Sequence, residues 1–133
     1  EWQPTRHYDA ILLDAPCTAT GTWRRHPEVV QLVSEADIAE MAALQRALLV
    51  RAWAWVKPGG KLVYCVCSLE EEEGEAQAAW FAHAMPDAQA LPVSPESEIP
   101  PEYVVGNTVR TLPHYRSEIG GMDGFFAAVW QKK

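Results

Sequence analysis

The chain has 133 residues, 48% hydrophobic and 22% charged, a length and balance suited to one globular domain with its own core. No apolar stretch approaches the roughly 18 residues needed to cross a membrane, and no secretory leader pattern opens the chain, so a cytoplasmic setting is expected. A net charge of -7 argues against a stand-alone nucleic-acid binder, because phosphate contacts are made largely by Lys and Arg.

Glu1 to His7 lead almost at once into an apolar run, Tyr8 to Leu13, closed by Asp14 and Pro16. A short continuous apolar run of this kind predicts a buried parallel strand entering a loop. So abrupt an opening reads as a cut through a larger domain. From Ala15 to about Val33 the chain is turn-prone, and Arg24-Arg25-His26-Pro27 is its most basic cluster. Ser34 with Asp37 resembles a capping box, and Ile38, Met41, Leu44, Leu48, Leu49, Ala52 and Trp53 recur at helical spacing, which predicts a helix of about five or six turns.

Lys57-Pro58-Gly59-Gly60 should stop that helix and turn the chain into a second strand, Lys61 to Cys67. A second helix is expected to open on Glu70-Glu71-Glu72-Glu73, four carboxylates at the positive end of its dipole, and to run to about His83 or Ala84. The proline-rich stretch between Met85 and Pro101 reads as an exposed connection, Tyr103 to Thr111 as a strand, Gly120 to Gly124 as a turn, and Phe125 to Gln131 as a final strand. Strand, helix, strand, helix, strand, strand is the second half of a doubly wound α/β sheet whose last two strands pair as an antiparallel hairpin.

Three cysteines form an odd set with no framework spacing and read as reduced thiols. Parallel strands bring Cys17, Cys65 and Cys67 to one carboxyl edge, where open α/β folds place their sites. Cys65 and Cys67 share a strand face, and packing accounts for Cys65. A zinc site would need about four ligands and would have to recruit His26, and a redox pair would more often be spaced Cys-x-x-Cys; both fit poorly, so no metal is expected. Cys67 followed by a helix N-terminus would have a lowered pKa, and a thiolate with a carboxylate, Asp14, suits addition to an electron-poor ring.

Asp14-Ala15-Pro16-Cys17-Thr18-Ala19-Thr20-Gly21-Thr22, Arg24-Arg25-His26-Pro27, Val56-Lys57-Pro58-Gly59-Gly60, Leu62-Val63-Tyr64-Cys65-Val66-Cys67-Ser68 and Asp123-Gly124-Phe125-Phe126 together resemble the Sun-type RNA (cytosine-5)-methyltransferases, including the bacterial 16S rRNA branch. Val66 stands where a threonine is common. The resemblance covers nearly the whole chain. It implies the C-terminal half of a Rossmann-like methyltransferase fold, residues 1–133 forming a partial catalytic domain without the glycine-rich cofactor loop.

It further implies S-adenosylmethionine as cofactor, RNA as partner, Cys67 as nucleophile and Cys17 as the thiol that assists product release. Asp14 and Pro16 would lie at the cofactor, Asp14 alternatively at the cytosine edge. Arg24, Arg25 and His26 would grip RNA phosphate, unless the arginines order their own loop, and Trp23 beside them is a candidate stacking platform. On this reading the complete protein acts on 16S rRNA, and the present chain alone is inactive and prone to self-association through an uncovered apolar edge. Transfer RNA as substrate, or a catalytically silent interaction module, are the rival readings.

Overall fold

The computed structural model describes residues 3–133, so the start of the abrupt opening, Glu1 and Trp2, lies outside the described residues. Strand β1 (Tyr8–Asp14) is followed by a loop and a single helical turn, α1 (Val29–Leu32). The long helix α2 (Glu35–Ala54) and strand β2 (Val56–Val66) come next. Helix α3 (Glu75–Ala84) and short strands β3 (Ala88–Ala90), β4 (Val104–Val105) and β5 (Thr108–Thr111) precede the closing strand β6 (Phe125–Lys132). The sheet runs β1-β2-β6-β5-β4, with β3 also on β6; β1 and β2 are parallel, and β2/β6, β5/β6 and β4/β5 are antiparallel.

The expected capping box starts α2: Ser34 accepts from the Asp37 amide, and the Asp37 carboxylate accepts from the Ser34 amide at 2.8 Å. Helix α2 buries Ala42, Gln45, Leu49, Ala52 and Trp53 on one stripe. Period-two alternation along β2 and β6 aims Leu62, Tyr64, Val66, Phe126, Ala128 and Trp130 at the same layer. Phe81 of α3 fills the middle, edge-on to Trp53 at 5.3 Å and tilted against Trp130 at 4.6 Å. Aromatic pairs of this kind contribute about 0.5–1.5 kcal/mol each beyond their buried area.

Three expectations change. Lys57 to Gly60 do not turn the chain between elements but form a bulge inside β2, since β1 advances from Tyr8 to Ala10 while β2 runs from Val56 to Lys61. Gly59 supplies the positive φ, 78°, that such a bulge needs. Helix α3 begins at Glu75, not Glu70, because Gly74 is its N-cap and the preceding glutamates lie in a turn. The connection after Met85 contributes the short strand β3, and the segment from Tyr103 folds into a tight hairpin, β4–β5. Among the described residues, no helix is long and apolar enough to cross a membrane.

Candidate active site

The parallel register pairs Leu13 with Tyr64 and Asp14 with Cys65, so both strands end at one edge. The Ala15 amide extends the ladder by donating to Cys65 O at 2.9 Å. Past that point the two loops are still tied, through Gly21 N to Cys67 O at 3.0 Å and Gly124 N to Gly21 O at 2.8 Å. A Cβ on Gly21 would run into the Gly124 carbonyl and sit 2.8 Å from Cys67 O, so the approach of three backbones requires glycine there.

This geometry brings the sulfurs of Cys17 and Cys67 to 3.5 Å, both half-buried and both unbridged. Burial pushes the Cys17 thiol up to about 12; a backbone hydrogen bond at Ala19 opposes the rise and the Cys67 sulfur adds to it. Cys17 is therefore a neutral thiol at physiological pH. Cys65 is buried and donates to Asp14 Oδ1 at 3.7 Å, and burial together with that carboxylate pushes its thiol up to about 11. It packs as expected. Among the described residues, no three His, Cys, Asp or Glu side chains group as a metal site.

The expected helix dipole at Cys67 is a correction, because α3 starts eight positions later, at Glu75. A denser device takes its place. Glu73 is fully buried. Its Oε1 accepts from the Thr18 amide at 3.0 Å and from Gln45 Nε2 at 2.9 Å, and its Oε2 accepts from Ser68 Oγ at 2.5 Å and from Thr18 Oγ1. Gln45 also donates to Pro16 O at 2.9 Å, which ties the Cys17 loop to α2. Thr20 Oγ1 accepts from Leu69 N at 3.0 Å, and Arg110 donates to Ser68 O at 2.6 Å while pairing with Glu75.

Thr18, Thr20 and Ser68 stand in motifs legible in the sequence, but nothing there points to Glu73 as the partner that joins them. Glu73 belongs to an acidic run that, from sequence alone, reads as helix-end stabilisation. Gly74, a helix N-cap residue type, was the one signal that the run precedes the helix.

The remaining candidates separate. Asp14 and Pro16 are exposed at the edge. Arg25 forks onto Asp123, with Nε 3.0 and 3.1 Å from its two oxygens and Nη2 at 2.5 Å, and Arg24 approaches the same carboxylate at 3.6 Å. Hydrogen bonding from Arg25 holds the Asp123 carboxyl below its ordinary range. The two arginines thus tie the loop after Cys17 to the segment before β6, and both remain partly exposed. His26 lies 3.3 Å from Glu28. Trp23 is 44% exposed beside them.

The fold is shared with solved methyltransferase structures. Over 96% of its length the chain superposes on a methyltransferase homologue from Pyrococcus horikoshii, with TM-score 0.73, 33% identity and 40% of that chain covered. NSun6 from the same organism, determined with SFG, an S-adenosylmethionine analogue, matches 96% of this chain and 30% of its own at TM-score 0.76 and 30% identity. Ribosomal RNA small subunit methyltransferase B of Vibrio cholerae is 39% identical over all of this chain and 28% of its own length. The chain thus spans about a quarter of the length of the curated relatives it matches. Residues 1–131 match the 16S rRNA methyltransferase RsmB/F family, and the chain belongs to that family of Sun-type, S-adenosylmethionine-dependent RNA methyltransferases.

Proposed function

We propose that the protein to which this chain belongs methylates C5 of cytosine in RNA, 16S rRNA in particular, with Cys67 as nucleophile and Cys17 as the base that frees the product. The single observation behind this reading is the 3.5 Å approach of two unbridged thiols at the carboxyl edge of the parallel strands. Cytosine C5 is a weak nucleophile until a thiolate adds at C6, which leaves an enamine. S-adenosylmethionine supplies the electrophilic methyl group for that carbon. Removal of the C5 proton then expels Cys67 from C6 and restores the ring.

The two thiols divide the work by environment. Cys17, held protonated by burial and by its neighbour, can donate its S–H toward the Cys67 sulfur 3.5 Å away. Once Cys67 is committed to a C–S bond, its sulfur no longer adds to the burial that keeps Cys17 protonated; Cys17 then gives its own proton to solvent, and the resulting thiolate accepts the C5 proton as Cys67 leaves C6 as a thiolate. Asp14 suits the cofactor's cationic methionine end or the cytosine edge, because it is exposed and the bond it receives from Cys65 is a weak S–H donation. Pro16 fixes the loop between Asp14 and Cys17, its carbonyl held by Gln45. Arg24, Arg25 and His26 would face RNA only along edges not engaged by Asp123 and Glu28.

Methyl transfer to RNA by the complete protein and its variants tests this reading. Cys67→Ala should abolish transfer, whereas Cys17→Ala should leave protein covalently attached to RNA on a denaturing gel. A Cys17→Ala enzyme that turns over and releases product normally would overturn the assignment. The present chain alone, given cofactor and RNA, should show no transfer.

A further inference from the structure

We infer that Glu73 is the positioning residue that sets the spacing of Cys17 and Cys67, through one buried carboxyl group shared by the residues that follow each cysteine. This inference rests on the reading of the thiol pair given above. Thr18 follows Cys17 and Ser68 follows Cys67 in the chain, and both bind the Glu73 carboxyl. Gln45 of α2 adds a further donor at 2.9 Å. Four donors converge on a group with about four acceptor positions, so its capacity is filled.

The carboxyl group is itself anchored in the core layer. Glu73 is fully buried, and its backbone carbonyl accepts from the Tyr64 hydroxyl at 2.6 Å. Tyr64 and Gln45 are also fully buried, so the reference point for both loops is the rigid sheet–helix interface. A cysteine at a loop tip inherits the mobility of its loop. Here the next residue in each loop is pinned to the same atom, Oε2, so the two sulfurs cannot drift apart without breaking short, buried hydrogen bonds.

Glu73 lies behind the loops, away from the exposed face, and need not touch substrate. Its chemistry is also hard to replace. Glutamine of the same shape would aim an amide N–H2 at a point where only donors arrive, and leave at least one buried donor without an acceptor. A misplacement of about 1 Å at a reacting pair can lower a rate roughly 100-fold.

The test uses the complete protein with Glu73→Gln, and Thr18→Val and Ser68→Ala as milder variants that each remove one donor. Two readouts are taken: methyl-transfer kinetics, and the rate at which the mild oxidant diamide joins Cys17 to Cys67, followed by mass spectrometry. The second requires only that the sulfurs close from 3.5 Å to a bond of about 2.05 Å, so it reports spacing whether or not the methylation reading is correct.

Glu73→Gln should lower kcat about 100-fold with KM for S-adenosylmethionine unchanged, and slow the disulfide about tenfold; Thr18→Val and Ser68→Ala should each show a smaller loss of the same kind. If Glu73→Gln does not fold, the two milder variants decide. Folded variants that form the disulfide at the parental rate would overturn the positioning role. Slowed disulfide formation in a protein whose methylation survives Cys67→Ala would retain that role and discard the proposed reaction.

Discussion

The two flanks of β1 are built in opposite ways. On the side facing β2, the loops leaving both strands meet in a polar seam in which Glu73, Ser68 and Thr20 are buried. Among the described residues, no buried side-chain nitrogen or oxygen lacks a partner. On the other side β1 is an edge strand, and Leu12 is 69% exposed. There a shallow groove of about 410 Å³ is lined mainly by apolar side chains, including Ile11, Leu13, Leu48 and Trp55. Polar groups tolerate burial only when paired, and apolar strand edges persist in water only when covered. The seam therefore depends on fixed geometry, whereas the outer flank is open to any apolar partner.

The largest expected effect falls in the seam, at Gly21→Ala. The added methyl group would meet backbone on two sides, the Gly124 carbonyl and Cys67 O, neither of which is the flexible end of a side chain. Overpacking of this sort costs about 1–3 kcal/mol, and the upper end is expected here. Urea unfolding measures it. Gly59→Ala is the matched control, because its Cβ would have open space and the cost would come only from its φ of 78°. Equal losses at both positions would mean that the seam is no tighter than the bulge.

A smaller effect should appear with pH. Cys17 and Cys65, raised from 9.0 to about 12 and about 11, keep protons in the folded chain that the unfolded chain releases. Their contribution is complete below about pH 9 and is lost as pH climbs through the folded values, so stability should fall across that window. Tyr64, raised chiefly by burial, adds to the fall above its ordinary range, near 10. Urea midpoints measured at rising pH should decline, and Cys65→Ser should make the decline shallower between about 9 and 11. An unchanged slope in that variant would mean that Cys65 titrates as a free thiol.

The uneven legibility of the sequence follows the same division. Signals that act within a few residues were readable: Ser34 and Asp37 as a capping box, the apolar run of β1, the helical spacing of α2 and the strand from Phe125. The shared sheet edge was readable as well, because parallel pairing of two buried strands places Cys17 and Cys67 together whatever the details of the loops. Glu73 was not, since its meaning comes from Thr18, 55 positions away, and Gln45, 28 positions away. Four consecutive glutamates look alike until the fold selects one for burial and leaves Glu71 and Glu72 exposed. The Asp123 fork was likewise hidden, because Arg25 lies 98 positions from it.

The smallest effect on stability, and the clearest contrast with the seam, is expected at Leu12→Lys. Leu12 is already 69% exposed, so lysine removes little buried area and should change stability by no more than about 0.5 kcal/mol. Its effect should be on association. An apolar residue on an open edge strand favours pairing between chains, and lysine is the usual natural guard against it. Sedimentation of this chain should show concentration-dependent self-association that Leu12→Lys reduces, while Gly21→Ala, on the opposite flank, lowers stability without relieving association. If the parent chain stays monomeric at high concentration, the outer flank is adequately shielded by Leu48 and Trp55 of its own helix layer, and the contrast between the two sides of β1 is one of polarity alone.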